Sequence, residues 1–226
     1  LRRNRSEINM RTIYREILFD LDGTLIDPKE GITKSIQFAL EQMGIDIPSA
    51  DDLEWCIGPS LKESFKKLIP SPSEADVNTA VAYYRKRYKE KGMYEHFVYP
   101  GIDKLLSQLQ KDGYRLFIAT AKPEIFAVDI LNQFHLDSYF EKIYGAQLDG
   151  TRSDKGKLLQ YIAEKSSLKS PSLMIGDRRF DMQAALQNKI DPLGVTYGYG
   201  SRDELKQAGA LHLCDSPTEI YSWIKA

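Results

Sequence analysis

Cysteine is scarce in this sequence: Cys56 and Cys214 are the only two among 226 residues. Far apart and in no metal-binding spacing, they argue against a disulfide framework and a structural zinc site, and they fit a reducing compartment, the cytoplasm. No apolar run approaches the ~18–20 residues that cross a bilayer, so no membrane partner is expected. An excess of one charge is missing too. With 31 basic and 32 acidic side chains and a net charge of −1, nothing overall attracts nucleic acid or an anionic membrane. Internal repeats and low-complexity tracts are absent. Gly198-Tyr199-Gly200 is no dinucleotide fingerprint, because its third glycine is missing and no acid-terminated βαβ unit follows. Leu1-Arg2-Arg3-Asn4-Arg5-Ser6 lacks the apolar core of a signal peptide. Met10 reads as a native start, which would make residues 1–9 a leader or an expression remnant.

What is present is an ordinary globular composition, 42% hydrophobic and 28% charged, in a chain long enough for one or two domains. The informative stretch is Glu16-Ile17-Leu18-Phe19-Asp20-Leu21-Asp22-Gly23-Thr24, an apolar run of strand length that ends in two carboxylates. Side chains at i and i+2 of an extended segment point the same way. Asp20 and Asp22 are therefore expected to face one spot beyond the strand's C-terminal end, where open parallel sheets bind ligands. Gly23 allows a turn that exposes backbone N–H groups to an anion. Two neighbouring acids repel unless a cation sits between them or one stays protonated. Both conditions suit phosphoryl transfer, in which a divalent ion binds carboxylate oxygens while one acid attacks and the other shuttles a proton. An EF-hand loop wants glycine at its sixth position, which counted from Asp20 is Leu25. A plain Asp-Gly turn stays open on these residues alone.

Along the chain, Asp27-Pro28 reads as an N-cap and first position of a helix that runs to about Met43 and stops at Gly44. Helical stretches follow at 50–56, 61–69 and from Glu74 to about Lys91. No strand pattern is seen between Pro28 and Gly92. From Tyr99-Pro100-Gly101 onward, strands at 115–120, 142–145, 172–176, 193–195 and 210–213 alternate with helices around Leu105, Ile130, Leu159, and Met182 with Leu186. Ser216-Pro217-Thr218-Glu219 reads as a capping box. The pattern predicts an α/β fold, a doubly wound and mostly parallel sheet covered on both faces. Residues 10–27 and 99–226 would form it, with an all-helical segment, 28–98, inserted after the first strand.

Other strand ends carry polar groups. Thr120-Ala121-Lys122 offers a hydroxyl and free N–H groups at a helix start, a phosphate seat. Lys155 follows Asp149-Gly150-Thr151-Arg152-Ser153-Asp154 and can neutralise a phosphate and an attacking carboxylate together. Gly176-Asp177-Arg178-Arg179-Phe180-Asp181 sets two acids on one helical face. Each has a plainer reading: Thr120 as an N-cap, Lys155 as a solvated lysine, Asp177 and Asp181 as capping acids. Their common place at C-terminal strand ends favours one crevice.

These residues resemble the motifs of the haloacid dehalogenase-like phosphohydrolase superfamily. Asp20-Leu21-Asp22-Gly23-Thr24 matches its first motif, Thr120 its second, Lys155 its third, and Gly176-Asp177 with Asp181 its fourth. Arg152 and Lys157 stand near enough to compete for the role of Lys155. Ile57-Gly58-Pro59, Tyr99-Pro100-Gly101 and Leu148-Asp149-Gly150-Thr151-Arg152-Ser153 are similar to the phosphoglycolate phosphatase-like and 5′-nucleotidase-like branch. The resemblance implies a Rossmann-like core under a helical cap, and Mg²⁺-dependent hydrolysis of a small-molecule phosphomonoester through an aspartyl phosphate. Asp20 would be the nucleophile and Asp22 the acid and base. Metal would be held by Asp20, the backbone carbonyl of Asp22, and Asp177, with Asp181 in support. Gly23, Thr24, Thr120, Ala121 and Lys155 would hold the phosphoryl group.

Dehalogenase members lack an acid at the position of Asp22. A β-phosphoglucomutase-like phosphomutase keeps both aspartates and differs in how the cap treats the intermediate. Receiver-type phosphoacceptor domains, the alternative from another class, are smaller and have no helical insertion. For substrate contact the candidates are Gly58, Pro59, Ser60, Lys62, Lys122 and Arg178. Gly58-Pro59 also reads as a connector, Lys62 as a solvated lysine and Arg178 as a helix-capping residue. Tyr83, Tyr84 and Tyr88 read as packing.

Overall fold

The computed structural model describes residues 14–166, 168 and 171–226. In chain order its first half comprises β1 (Glu16–Phe19), β2 (Ile26–Asp27), α1 (Lys29–Gln42), α2 (Leu61–Leu68), α3 (Glu74–Glu90), β3 (Phe97–Val98) and α4 (Ile102–Lys111). Then follow β4 (Arg115–Pro123), α5 (Glu124–Gln133), β5 (Lys142–Ala146), α6 (Lys155–Ser166), β6 (Ser172–Gly176) and α7 (Arg179–Gln187). β7 (Asp191–Val195), α8 (Arg202–Gln207), β8 (His212–Cys214) and α9 (Pro217–Lys225) complete the chain.

Six parallel strands form one sheet in the order β5-β4-β1-β6-β7-β8. This is the doubly wound arrangement the alternation predicts. After Glu16, strand β1 is apolar because it is covered twice. Ile17 and Phe19 join a cluster with Leu105 and Leu109 of α4, Ile130 of α5 and Ile220 of α9. Leu18, pointing to the other face, packs with Leu158 and Ile162 of α6 and Ala185 of α7. Phe19, the last residue of β1, is in register with Ile118 of β4 and Ile175 of β6, so the end of β1 lies between these two strands.

Helices α1, α2 and α3 and a 3₁₀ turn over Asp51–Cys56 lie between β2 and β3. Those two short strands pair antiparallel, Ile26 with Val98 and Asp27 with Phe97, where the chain leaves and re-enters the sheet region. Two residues are too few to show alternation, so the pattern gave no sign of either. Tyr84 stacks on Tyr88 at 5.3 Å between ring centres, and Tyr88 meets Phe126 of α5 edge-on at 5.5 Å. The tyrosine row is packing, and it joins the insertion to the sheet-bearing part.

Some boundaries differ. Strand β4 runs past Thr120, its expected end, to Pro123, and α5 opens at Glu124 directly behind that proline. Helix α8 was not expected, because Arg202–Gln207 buries only Leu205 and has no apolar stripe. Leu186, counted with the apolar face of α7, is 52% exposed. Among the described residues, no helix is long and apolar enough to cross a membrane.

His96, next to β3, is buried and shares a hydrogen bond of 2.8 Å between Nε2 and the Tyr88 hydroxyl. Burial, and then the nearby Lys122 ammonium, push its imidazole down from 6.5 to about 3. The unfolded chain thus binds a proton that the folded chain refuses, and stability is lost as pH falls from 6.5 toward 3. The slope approaches about 1.4 kcal/mol per pH unit. Replacing His96 with Gln should remove that part of the acid slope in urea unfolding measured at several pH values; an unchanged slope would contradict a buried neutral His96.

Candidate active site

Asp20 leaves the end of β1, Asp177 leaves the end of β6, and Asp181 stands in the first turn of α7. One carboxylate oxygen from each lies within 4.8 Å of the others, and all three residues are buried. Lys155, the first residue of α6, places Nζ 2.8 Å from Asp20 Oδ1 and 2.8 Å from Asp181 Oδ1. It also donates to the Ala119 carbonyl at 2.9 Å. Burial draws the Lys155 ammonium down, but Asp181 and Asp20 together outweigh it and hold it above its ordinary range. Asp177 is driven well above the usual carboxylate range by burial first, then by Asp181 and Asp20. Asp181 is raised as well, chiefly by burial, with Lys155 pulling it back.

Three carboxylates thus confront one ammonium. Oδ2 of Asp177 accepts the Tyr199 N–H at 2.8 Å, whereas its buried Oδ1 has no hydrogen-bond partner among the described residues. Gly23 makes room for this side chain. Its φ is +82°, and a Cβ there would sit 2.2 Å from Asp177 Oδ2. A donor set of buried carboxylate oxygens, one of them unpartnered, fits a hard divalent cation such as Mg²⁺.

The metal expectation for Asp22 concerns its backbone carbonyl, not its carboxylate. Its side chain is outside the cluster, and its two oxygens accept from Lys122 Nζ at 2.7 and 2.5 Å. Lys122 is buried and lies 5.2 Å from the centre of the Tyr88 ring, within cation–π reach. The lysine expected at the substrate rim and the second acid are one ion pair. Thr120 is buried, its Oγ1 accepting the Lys122 N–H at 3.2 Å.

Gly23 and Thr24 were expected to offer N–H groups to phosphate. The turn uses both: Gly23 N–H donates to the Ile26 carbonyl at 2.8 Å and Thr24 N–H to the Leu21 carbonyl at 3.3 Å. Of the three cations competing at the third motif, Lys155 is the one at the cluster. Arg152 turns to Glu124 at 3.5 Å and to the Gly145 carbonyl at 3.3 Å, and Lys157 is exposed. Arg178 takes the plainer of its two readings and stands at the N-cap of α7. It does not line the cavity described next; its Nε donates to Glu204 at 3.0 Å and its Nη1 to the Ile57 carbonyl.

A cavity of about 450 Å³ opens above the cluster. Asp20, Asp22, Thr120, Ala121 and Lys122 line it from the sheet side, and Gly58, Pro59, Ser60 and Lys62 from the insertion. Ile32, Leu61, Val81 and Tyr84 give it an apolar wall, and Asn78, Arg85 and Gln147 add polar groups. Arg85 donates from Nη2 to the Leu148 carbonyl at 2.6 Å, tying α3 to the segment after β5. Asn78, Arg85 and Gln147 belong to no motif, and nothing in the sequence singles them out. Lys62 is half-exposed, with Glu74 at 3.9 Å.

Residues 17–195 match the model of the haloacid dehalogenase-like hydrolase family. A 5′-nucleotidase of Pseudomonas aeruginosa is 45% identical over 202 residues, covering 89% of this chain and 91% of that protein. The tyrosine-protein kinase PtkA of Mycobacterium tuberculosis is 35% identical over 188 residues, 83% of this chain but 64% of the kinase. The crystal structure of a predicted phosphatase from Clostridium acetobutylicum superposes with a TM-score of 0.91 at 43% identity, over 95% of this chain and 99% of that one. The chain belongs to the haloacid dehalogenase-like hydrolases and stands with the phosphatases among them.

Proposed function

We propose that the protein is a Mg²⁺-dependent phosphatase that hydrolyses a nucleoside 5′-monophosphate, or a phosphomonoester of similar bulk, through an aspartyl phosphate. One observation carries this reading: Asp20 belongs both to the buried acid cluster with Lys155 and to the floor of a cavity it shares with Asp22.

In this reading Asp20 attacks phosphorus in line, forming an O–P bond as the ester oxygen leaves, and Asp22 gives that oxygen a proton. Water then attacks the aspartyl phosphate, Asp22 takes its proton, and inorganic phosphate and free Asp20 result. Lys122 occupies both oxygens of Asp22; passing its ammonium to the incoming phosphate releases Asp22 for these transfers. The Thr120 hydroxyl, the Ala121 N–H and Lys155 would hold the phosphoryl oxygens, and Asp181 would hold Lys155. The carboxylates of Asp20 and Asp177 and the backbone carbonyl of Asp22 would hold Mg²⁺, which when bound neutralises charge on the transferring group. Residues 28–98 act as a cap whose closure limits water.

The cavity favours the nucleotide over phosphoglycolate. Its apolar wall suits a body bulkier than a carboxymethyl group, and the Asn78 and Gln147 amides offer donor and acceptor to a base edge. The 5′-nucleotidase of Pseudomonas aeruginosa supports the same choice. Transfer to tyrosine, as the mycobacterial relative is named for, would need a protein side chain to reach Asp20 beneath the insertion; water reaches it more simply.

Three outcomes are expected. Asp20→Asn should lower turnover of nucleoside monophosphates by at least ~10³-fold while the protein melts no lower, since a buried like charge is removed; retained turnover would sink the mechanism. Chelation should abolish activity and Mg²⁺ restore it, and Asp177→Asn should weaken the Mg²⁺-dependent rise in melting temperature, with a roughly 10–100-fold higher Mg²⁺ requirement. In a substrate panel, kcat/KM for a nucleoside 5′-monophosphate should exceed that for phosphoglycolate by about tenfold or more. The reverse order would overturn the choice of substrate.

A further inference from the structure

Arg178 connects two loops that the motifs treat separately. It is 7% exposed and directly follows Asp177 of the acid cluster. Its N–H donates to Asp181 at 3.1 Å, so its backbone is fixed to the same cluster. Its guanidinium leaves the cluster, donating from Nε to Glu204 at 3.0 Å and from Nη1 to the carbonyl of Ile57, 121 residues away in the chain. Glu204, in the first turn of α8, also accepts the Arg179 N–H at 2.9 Å. Ile57 is fully buried and immediately precedes Gly58-Pro59-Ser60, which line the cavity. The stem of Arg178 runs against Gly58: a Cβ there would lie 3.1 Å from Arg178 Cγ, and Gly58 has a φ of +105°. A side chain at that position would be strained and would push on the arginine.

We propose that Arg178 is a positioning residue that holds the Gly58–Ser60 loop over the cavity and thereby sets affinity for the part of the substrate beyond its phosphate. The hydrogen bond to Ile57 is charge-assisted and shielded from water. Without the guanidinium, the Ile57 carbonyl and Glu204 lose a buried partner, and the loop loses what fixes it against the β6–α7 turn. Gly58 then has a defined task, to admit the arginine stem. The proposal rests on reading the cavity as the substrate site.

The test combines steady-state kinetics with amide hydrogen exchange on the full chain, comparing Arg178→Met, which keeps the stem, with Gly58→Ala and with Arg179→Ala, which removes an exposed charge one residue on. Arg178→Met should raise KM for a nucleoside 5′-monophosphate about tenfold or more with kcat changed less than about threefold, the mark of lost binding common to ground and transition states. Exchange at Gly58 and Ser60 should quicken by about tenfold while α1 is unaffected. Gly58→Ala should move both readouts the same way, and Arg179→Ala neither. Wild-type KM and wild-type exchange in Arg178→Met would overturn the proposal, as would a fall in kcat at constant KM, which would assign Arg178 to the chemistry. If Arg178→Met fails to fold, Arg178→Lys and Gly58→Ala carry the same test. A wild-type protein that hydrolyses no nucleotide would defeat the substrate reading alone, and the exchange measurements would still decide the role of Arg178.

Discussion

Three buried carboxylates held against a single ammonium form the constraint on which the rest of this structure depends. Unit charges about 4 Å apart at an effective dielectric of about 20 repel by about 4 kcal/mol, a large share of the ~5–15 kcal/mol that stabilises a whole domain. Such a cluster persists only where the surrounding frame is stiff enough to hold it. Strands β1 and β6 supply that frame: they are adjacent and in register, and each is packed on both faces. Small residues then let the charges approach. A Cβ on Gly23, Gly176 or Gly198 would lie within 2.5 Å of an atom of Asp177 or Asp181. The positions closest to the acids are glycine because the space belongs to the carboxylates.

The same constraint explains Lys155. A cation at the first position of a helix opposes the helix dipole, which disfavours positive charge there by roughly 0.3–1 kcal/mol. A lysine that merely decorated α6 would gain nothing at this end. Lys155 is instead buried, with two carboxylates at 2.8 Å and a carbonyl at 2.9 Å. Those contacts outweigh both the dipole and the loss of hydration. Its plainer reading as a solvated lysine fails on geometry, and Arg152 and Lys157 have no comparable set of partners.

What could be read from the sequence was what local physics determines. The strand at 172–176, the acid pair after β1, the acids around Arg178 and the alternation that makes a doubly wound sheet all depend on neighbours within a few residues. The pairings that complete the site do not. Asp22 and Lys122 are 100 residues apart, and their ion pair follows from the meeting of β1 and β4. Arg178 reaches Ile57 only because the insertion folds back over the strand ends. The N–H groups of Gly23 and Thr24 looked free for an anion because a turn's internal hydrogen bonds cannot be counted without its dihedrals. Strands β2 and β3 were too short, and α8 too polar, to leave a periodic trace.

These two kinds of support divide the site. The acid cluster and Lys155 are fixed by sheet register and helix starts, which the twofold packing of β1 and β6 makes rigid. The cavity above is fixed by side chains that cross between separate parts of the chain: Arg178 to Ile57, Arg85 to Leu148, and the aromatic row from Tyr84 through Tyr88 to Phe126. Substitutions in the insertion can therefore reshape the cavity without disturbing the acids, so that one chemistry can be kept while its substrate changes. The contact that joins the two is Lys122, bound to Asp22 on the floor and lying over Tyr88 from the insertion. In the proposed reaction that lysine is the point at which a phosphate entering the cavity would alter the proton carrier beneath it. Its place between an acid and an aromatic ring gives it two partners that an anionic substrate can compete with, and competition for Lys122 would couple binding to the readiness of Asp22.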